Sequence, residues 1–411
     1  MSALTSYRDL LQVAGPGYVV VAFLGRLPMA MSQLGTLLLV STTTGTYGIG
    51  GLAAGALAVA NAAGAPVAGT LADRYGQRPV VLVQSWAAAV SLVLLMLLAH
   101  ADAPDAALVG AAALAGLTLP QVGPLARVRW RPLTTRTGTD QRRLVDAAFS
   151  YEGAADEASF ALGPALVGVA AVVFSPGGAL LAAAVLLAVF GTAFAVHPTA
   201  RLTGRAAATP HTGRLISAAF LVLVVAQMAV GTLFGATQTG TTVLATQAGQ
   251  AGLAGLIHAT LGIGSAVAGL ATAFIPARIG HERRVLVAAT AMVLLSAPLL
   301  AVDSLGALTA TVAILGFAIA PYMIGVFSLA ERVVPSTRTA AAMTALASAT
   351  GIGYALGSSL AGALADRHGH TAAFAVTVGA TVVALLLALT QQRRLGAAVR
   401  AHQEVEVAVA V

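Results

Sequence analysis

The sequence predicts an all-α integral membrane protein with twelve transmembrane helices, arranged as two pseudo-symmetric six-helix bundles. Three observations predict this fold. Of the 411 residues, 58% are hydrophobic and only 9% are charged; the arginines fall in alternate gaps between apolar runs; and the second half repeats features of the first. A soluble domain has about 25% charged residues, so a chain this poor in charge requires lipid as its solvent.

The apolar runs are long enough to cross a bilayer, which takes about 20 residues. Twelve runs can be separated, and three pairs of neighbouring runs are divided only by short breaks, at Gly45–Gly51, Ser175–Gly177 and Asp303. The predicted spans are 16–40, 48–71, 79–100, 105–126, 145–172, 177–197, 214–240, 250–275, 285–302, 305–330, 338–364 and 371–390.

The charged residues indicate the orientation. All 22 basic residues are arginine, and 15 acidic residues leave a net charge of +7. Apart from Arg8 before span 1 and Arg26 within it, the arginines lie in alternate gaps and after the last span, and Arg367 is the one exception among the gaps. The positive-inside rule therefore predicts a multi-pass protein of the cell (plasma) membrane with both termini in the cytoplasm. Membrane topology thus accounts for the positive net charge, so we expect the lipid bilayer as a partner and no nucleic acid. The absence of cysteine excludes disulfides and thiolate metal sites.

The longest polar gap divides the spans six and six. We predict an N-terminal bundle, a cytoplasmic linker, a C-terminal bundle and a cytoplasmic tail, at residues 1–197, 198–213, 214–392 and 393–411. Ala161–Gly168 in span 5 recurs as Ala355–Gly362 in span 11, 194 residues later. Two parallel repeats about an axis along the membrane normal produce such an offset.

The loop after span 2 reads G-T-L-A-D-R-Y-G-Q-R-P from Gly69 onward. Gly69 is small enough to let two helices approach closely. Asp73 lies near a helix end, where it can meet a neighbouring helix N-terminus or pair with Arg74 and Arg78. We interpret Gly69, Asp73, Arg74, Gly76 and Arg78 as a latch that holds one conformation and releases in the other. The alternative is a plain turn with arginines placed by the positive-inside rule.

This loop resembles the signature of the major facilitator superfamily, G-x-L-A-D-R-x-G-R-[KR], and departs from it at Gln77, where the family has a basic residue. The resemblance implies the fold of two six-helix bundles and transport by alternating access. A near copy from Gly362 to Gly369 follows span 11. The predicted topology places it at the opposite end of the bundle, so we assign it no latch role.

Span 5 resembles the signature of drug-exporting members, in which spaced glycines end in G-P-x-x-G-G. The matching helix-packing positions are Ser159, Gly163, Pro164 and Gly168, with Val167 in place of one glycine. The resemblance implies a bacterial efflux protein for drugs or metabolites, of the actinobacterial type. The family's usual arginine deep in span 4 is missing, and we expect Arg127 and Arg129 to lie at the shallow, cytoplasmic end of that span.

Four charged residues lie inside predicted spans: Arg26 in span 1, and Glu152, Asp156 and Glu157 in span 5. A charge at mid-bilayer costs about 3 kcal/mol even on insertion scales, so these residues are functional candidates. The helical rise places Arg26 level with Asp156 and Glu157. Glu152 and Asp156 share one helix face, and Glu157 points away from it.

Two interpretations of these charges remain. In the first, Asp156 or Glu157 takes up and releases a proton during transport, and Arg26 modulates its proton affinity. In the second, Arg26 and the acids form a fixed ion-pair cluster that ties span 1 to span 5. We favour the first because three acids face one base, so desolvation favours protonation of the excess carboxylates. Protons would then be the coupling ion, with no cofactor, metal or catalytic residue.

Other polar residues within the spans are candidates for lining a central cavity. They are Gln33, Asn61, Gln121, Gln227, Gln238, His258 and Tyr322. The alternative role for each is an interhelical hydrogen bond. Trp130 and Tyr7 are expected as anchors at the membrane interface.

Taken together, these features predict a monomeric, proton-coupled exporter of small amphipathic or drug-like molecules. A sugar or metabolite permease without proton coupling is an alternative, and a non-transporting sensor or scaffold of the same fold is another. We expect no enzyme, because the sequence offers no cysteine, no histidine pair at metal spacing and no Ser/His pair at matching depth. The sequence has no Walker-type glycine loop, so we do not expect ATP to drive it.

Overall fold

The computed structural model describes residues 3–45, 47–203, 215–250, 253–276 and 278–410. Ten helical segments in these residues are long and apolar enough to cross a membrane. Two of the ten, residues 105–171 and 336–397, each contain two crossings. The chain is thus a multi-pass membrane protein, and the predicted all-α fold of twelve spans is confirmed.

Most predicted spans correspond to one continuous helix. In the N-terminal half the helices are Pro16–Thr44, Tyr47–Tyr75, Gln77–His100, Asp105–Thr118 with Val122–Thr134, Gln141–Val173, and Pro176–Leu186 continuing through a π-helical turn into Thr192–Val196. In the C-terminal half they are Ala218–Gln247, Ala254–Ala271, His281–Ser296, Leu305–Val333 and Thr339–Ala410. The last range holds spans 11 and 12 on either side of Gly369, whose φ of 76° breaks the helix.

Several helices extend beyond the apolar runs that predicted them. Span 2 continues to Tyr75 and span 5 begins at Gln141. Hydropathy detects the hydrocarbon core, whereas a helix can continue into the polar headgroup region. An unpredicted helix, Ala3–Ala14, precedes span 1. Of the predicted linker, residues 198–203 form a 3₁₀ turn and the remainder lies outside the described residues.

Span 4 departs from the predicted single helix. Its first segment ends at Thr118 and its second begins at Val122. Pro120 causes the break, because proline disfavours a helical conformation in the preceding residue. Asn61 Nδ2 donates a hydrogen bond to the Gly116 carbonyl at 3.1 Å, beside the break. Interrupted helices are tolerated at membrane depth where such partners satisfy the freed backbone.

The two halves are in contact at one end of the bundle. We call it the basic end, because the arginine-rich gaps after spans 2, 4, 8 and 10 lie there. Val145 and Phe149 of span 5 belong to the apolar core of the C-terminal half. Ala340, at the start of span 11, belongs to the core of the N-terminal half. The two cores therefore join at the basic end.

Candidate functional site

The central site is an ion-pair cluster built around Arg26. This side chain is only 4% exposed. Its Nη2 donates to Glu152 Oε2 at 2.6 Å, its Nη1 donates to Asp156 Oδ1 at 2.9 Å, and its Nε donates to the Ala22 carbonyl at 3.2 Å. The structure therefore brings Arg26 onto the two acids that share a face of span 5. It does not bring Arg26 onto Glu157.

Arg127 is a second cation in this cluster. Its Nη2 donates to Asp156 Oδ2 at 2.8 Å, and the residue is 2% exposed. Gly123, one turn earlier, makes the approach possible, because a Cβ there would lie 2.6 Å from Asp156 Oδ1. The expectation that Arg127 lies too shallow for such a role is wrong. The break in span 4 starts a new helix segment, and that segment carries Arg127 against span 5.

Trp130 completes the cluster. Its Nε1 donates to Glu152 Oε1 at 2.7 Å, so both oxygens of that fully buried carboxylate have a donor. The prediction of Trp130 as an interface anchor is wrong, since the residue is 1% exposed and packs edge-on against Tyr18. A buried indole usually needs a hydrogen-bond partner for its N–H, and here the carboxylate supplies it.

Arg129 has a different environment. Its Nε donates to Gln77 Oε1 at 2.8 Å, and its Nη1 donates to the Phe194 carbonyl and to Thr199 Oγ1 at 3.0 and 2.9 Å. Its guanidinium also stacks on the Phe194 ring at 3.6 Å. All of these partners belong to the N-terminal half. Arg129 is fully buried, lies at the basic end of span 4 as expected, beside the first residue of span 3, and ties spans 3, 4 and 6 together.

Glu157 is the carboxyl group that the cluster leaves out. It is 5% exposed, and among the described residues no cationic side chain pairs with it. It faces span 8 of the other half, where the buried Ser265 hydroxyl nearby makes no hydrogen bond within the described part of the protein. Gly262 of the same span lies against it, and a Cβ there would be in ordinary van der Waals contact with the Glu157 carbonyl, at 3.8 Å. Glu157 is thus an unpaired acid on the seam between the halves.

This geometry changes the balance of charge that the sequence suggested. Arg26 and Arg127 together neutralise Glu152 and Asp156, so the excess of acid over base is one group rather than two. Asp156 bridges both arginines, whereas Glu157 pairs with neither.

The loop after span 2 contacts the start of span 11. Asp73 Oδ1 and Oδ2 accept hydrogen bonds from the backbone N–H groups of Ala340 and Ala341, at 3.0 and 2.9 Å. Gly69 lies against the same turn, where a Cβ would lie 2.7 Å from the Ala340 carbonyl. Asp73 was expected to meet either a helix N-terminus or Arg74 and Arg78, and in the structure it binds the N-terminus of span 11.

The remaining members of this loop do not join the contact. Arg74 is exposed and lies over the Tyr75 ring, with Cζ 5.1 Å from the ring centroid. Arg78 is also exposed. Gly76 has a φ of 85°, which allows the chain to turn into span 3. Both arginines therefore lie on the surface of the basic end.

Additional polar contacts join the halves at the basic end, and the sequence did not predict them. They are Asp146 with Arg332 and His281, Arg131 with Glu331, Thr272 with Ser150, and Tyr7 with the Leu270 carbonyl. Tyr7, expected as an interface anchor, is thus a donor to the other half. Each residue could be seen as polar in the sequence, but its partner lies more than 120 positions away. Together with Asp73, these contacts close the bundle at the basic end.

The packing positions of span 5 have unequal surroundings. A Cβ on Gly163 would lie 2.5 Å from Ala30 Cβ, so glycine lets span 5 approach span 1. Ser159 Oγ donates to the Asp156 carbonyl at 2.8 Å. Pro164 lies within the continuous helix, and a Cβ on Gly168 would meet no atom within 4 Å. Close packing therefore involves Gly163 and not Gly168.

The seven cavity candidates fall into three groups. Asn61 and Gln121 bond to each other, and Gln227 bonds to Thr350 at 2.9 Å, each within its own half. Gln33 and Gln238 are exposed. Tyr322 and His258 each have a buried polar atom without a protein partner, the hydroxyl and Nδ1 respectively. The first group makes interhelical hydrogen bonds, and so does Gln238, whose Oε1 accepts from the Tyr354 hydroxyl of span 11. Gln33, Tyr322 and His258 remain candidates.

Comparisons with known proteins agree with this architecture. Residues 219–409 match the family model described as Major Facilitator Superfamily. No curated protein sequence matches the chain. The fold is similar to the human organic anion transporter MFSD10 (TETRAN), with a TM-score of 0.69 and 20% identity over 90% of this chain and 99% of that one.

Two further solved structures are similar. One is a bacterial homologue of the iron transporter ferroportin in an outward-facing state, with a TM-score of 0.68 and 13% identity over 91% of this chain and 98% of that one. The other is a mutant of the nucleoside transporter NupG, with a TM-score of 0.60 and 16% identity over 92% and 98%. At these identities the likeness establishes the fold, and the family model covers less than half of the chain.

Proposed function

We propose that this chain, a protein of the major facilitator superfamily, is a secondary active transporter that exports small amphipathic or drug-like molecules by alternating access, coupled to protons. The fold and the closed basic end support alternating access. The positive-inside rule assigns the basic end to the cytoplasm, so the described state is closed to the cytoplasm. Its closing contacts are hydrogen bonds and ion pairs, which water can replace when the halves separate.

The observation that carries proton coupling is the unpaired carboxyl group of Glu157. An ionised group in the hydrocarbon region costs about 3 kcal/mol even on lenient scales. Protonation removes that cost while the seam between spans 5 and 8 is closed. When the seam opens, water can solvate the carboxylate and the proton can leave. Of the two acids considered from the sequence, Asp156 is held by two arginines, so the geometry favours Glu157 as the proton carrier.

The direction of transport and the class of substrate rest on fewer observations. Export rests on the resemblance of span 5 to drug-exporting members. The similar structures are described as transporters of organic anions, iron and nucleosides, which are chemically unlike one another. One fold therefore serves many cargoes, and the fold does not select among them.

A permease without proton coupling is the second candidate. The balanced pairing of Arg26 and Arg127 with Glu152 and Asp156 favours it, because such a cluster can be purely structural. In that case Glu157 would remain protonated throughout the cycle and would not influence the driving force.

Transport in proteoliposomes separates these candidates. The purified protein is given an imposed pH gradient and a panel of lipophilic cations, aromatic organic anions, sugars and amino acids. We expect pH-driven transport in the wild type. Glu157→Gln should abolish the pH drive and retain exchange of labelled for unlabelled substrate. Glu282→Gln, which removes a carboxylate at the basic end, is the matched control and should behave as the wild type.

The other outcomes identify the alternatives. If Glu157→Gln and Asp156→Asn both kept full transport driven by the pH gradient, proton coupling through span 5 would be contradicted. Exchange that never responds to pH would favour the permease. No transport of any compound would favour the sensor or scaffold.

A further inference from the structure

Arg127 has hydrogen-bond donors that the protein does not use. Its Nη2 binds Asp156, but its Nε and Nη1 are buried without a partner. Arg26, in the same cluster, uses all three of its nitrogens. Buried polar groups are nearly always paired, and an unpaired donor on a charged group is especially costly. Two unused donors on one buried guanidinium therefore point to a ligand.

The position of Arg127 shows how a ligand could reach it. The Phe327 ring, from span 10 of the other half, covers the guanidinium with its centroid 4.4 Å from Cζ. Ile324, one turn earlier on span 10, lies against Gly153 of span 5. Arg127 thus lies on the plane where the halves meet, and not on a surface that faces lipid. Separation of the halves at the basic end would remove Phe327 and uncover the guanidinium.

We propose that Arg127 binds the acidic group of the transported molecule, an organic anion with a flat apolar body. A planar guanidinium forms strong charge-assisted hydrogen bonds to carboxylate, sulfonate or phosphate oxygens. The face that Phe327 vacates can bind a flat apolar group in the same way as it binds the ring. This inference rests on the proposed transport function, and it names the class of substrate.

The geometry also assigns the side from which the anion enters. In the closed state Phe327 covers one face of the Arg127 guanidinium, Asp156 binds its Nη2, and the residue is 2% exposed. The site becomes available only when the basic end opens. Loading from that end is what an exporter requires if the basic end faces the cytoplasm.

Binding of three dansyl probes to the purified full-length protein tests the proposal. Dansylglycine is an anion, dansylamide is neutral and dansylcadaverine is a cation. The chain has two tryptophans, Trp86 and Trp130. Trp86→Phe leaves Trp130, three residues from Arg127, as the sole donor for energy transfer to a bound dansyl group. The readout is the dissociation constant of each probe.

We expect dansylglycine to bind more tightly than the other two probes. Arg127→Gln should weaken dansylglycine by at least about tenfold, because charge-assisted hydrogen bonds are lost, and should not change dansylamide. Arg127→Lys should weaken it less, because the charge remains and the planar donor group is lost. Arg136→Gln removes an exposed arginine at the same end and should have no effect.

A second variant protects the test against misfolding. Arg127→Gln with Asp156→Asn removes both members of the pair, so no buried charge is left uncompensated, and it should still lose dansylglycine binding. Equal binding of the three probes, no binding of dansylglycine to the wild type, or unchanged binding in the double variant would overturn the proposal. Competition by anionic phospholipid but not by benzoate would also overturn it, in favour of a lipid site.

The result is independent of the test of transport. Arg127-dependent binding without pH-driven flux would support the anion site and contradict the transport mechanism. Flux that depends on Glu157, without selective binding of the anionic probe, would support the transport mechanism and contradict the anion site.

Discussion

Replacing Asp73 by alanine should release the basic end of the bundle. Asp73 contributes two hydrogen bonds, at 3.0 and 2.9 Å, to the backbone of Ala340 and Ala341 at the start of span 11. These bonds cross between the halves, so they exist only in the closed state. Loss of the carboxylate therefore destabilises the closed state relative to the open one, in which water would solvate Asp73.

The size of the effect can be bounded from both sides. Loss of a helix N-cap costs about 1 kcal/mol, which is roughly a fivefold change in an equilibrium constant. Two hydrogen bonds to a charged acceptor, taken at about 1.5 kcal/mol each, contribute about 3 kcal/mol together, which is roughly a hundredfold change and serves as the upper limit. Asp73 is half-buried, so screening by water places the result between these limits. The open population should rise by about fivefold to a hundredfold.

Cysteine labelling measures this population. The chain has no native cysteine, so a single introduced thiol reports alone. Ser150 is 2% exposed and lies at the seam, 2.7 Å from Thr272 of the other half. A thiol in S150C should react with N-ethylmaleimide only when the basic end opens. The labelling rate should therefore rise in Asp73→Ala in proportion to the open population.

Asp366→Ala provides the matched control. Asp366 lies in the near copy of the motif and is exposed at the opposite end. It should leave the labelling rate unchanged. A rise of less than about threefold in Asp73→Ala, below the N-cap limit, would refute the reasoning. An equal rise in both variants would also refute it, because the effect would then not depend on the contact with span 11.

Two further variants test other contacts of the N-terminal half. Gly69→Ala should increase S150C labelling, because a Cβ there would lie 2.7 Å from the Ala340 carbonyl. Gly362→Ala is the control and should leave the labelling rate unchanged, because a Cβ there meets nothing within 4 Å. Equal labelling rates in the two variants would argue against close packing at Gly69. Arg129→Gln should lower stability by about 3 kcal/mol, since three hydrogen bonds of about 1 kcal/mol each are lost. Thermal unfolding of the variant measures this loss. A purely structural role would be contradicted by an unchanged unfolding temperature, or by a changed KM for the substrate in the folded variant.

The sequence was most informative where a physical property depends on neighbouring residues. The spans follow from runs of apolar side chains, because lipid requires them to be continuous. The predicted sidedness rests on arginine in alternate gaps, and it stays a prediction. Asp73 could be placed near a helix end from its loop alone. The level of Arg26 with Asp156 followed from helical rise.

Only the tertiary structure decided which charges pair. Arg127 looked shallow because the apolar run of span 4 ends at residue 126, whereas the second helix segment of that span continues to Thr134. Trp130 looked like an interface anchor because its burial depends on side chains of other helices, namely Tyr18 of span 1 and Tyr151 and Glu152 of span 5. Glu157 could not be distinguished from Asp156, since both lie in one helix and differ only in which neighbour they face.

The sequence by itself therefore determined that lipid is the solvent, the number of crossings and four of the charges inside the spans, because hydropathy and helical periodicity are local properties. The tertiary structure decided that Asp156 bridges two arginines, that Glu157 faces the other half, and that Arg127 keeps unused donors beneath Phe327. These pairings join residues on different helices, and most lie far apart in the chain. Ion pairing depends on a few ångströms between side chains, and helix packing sets that distance.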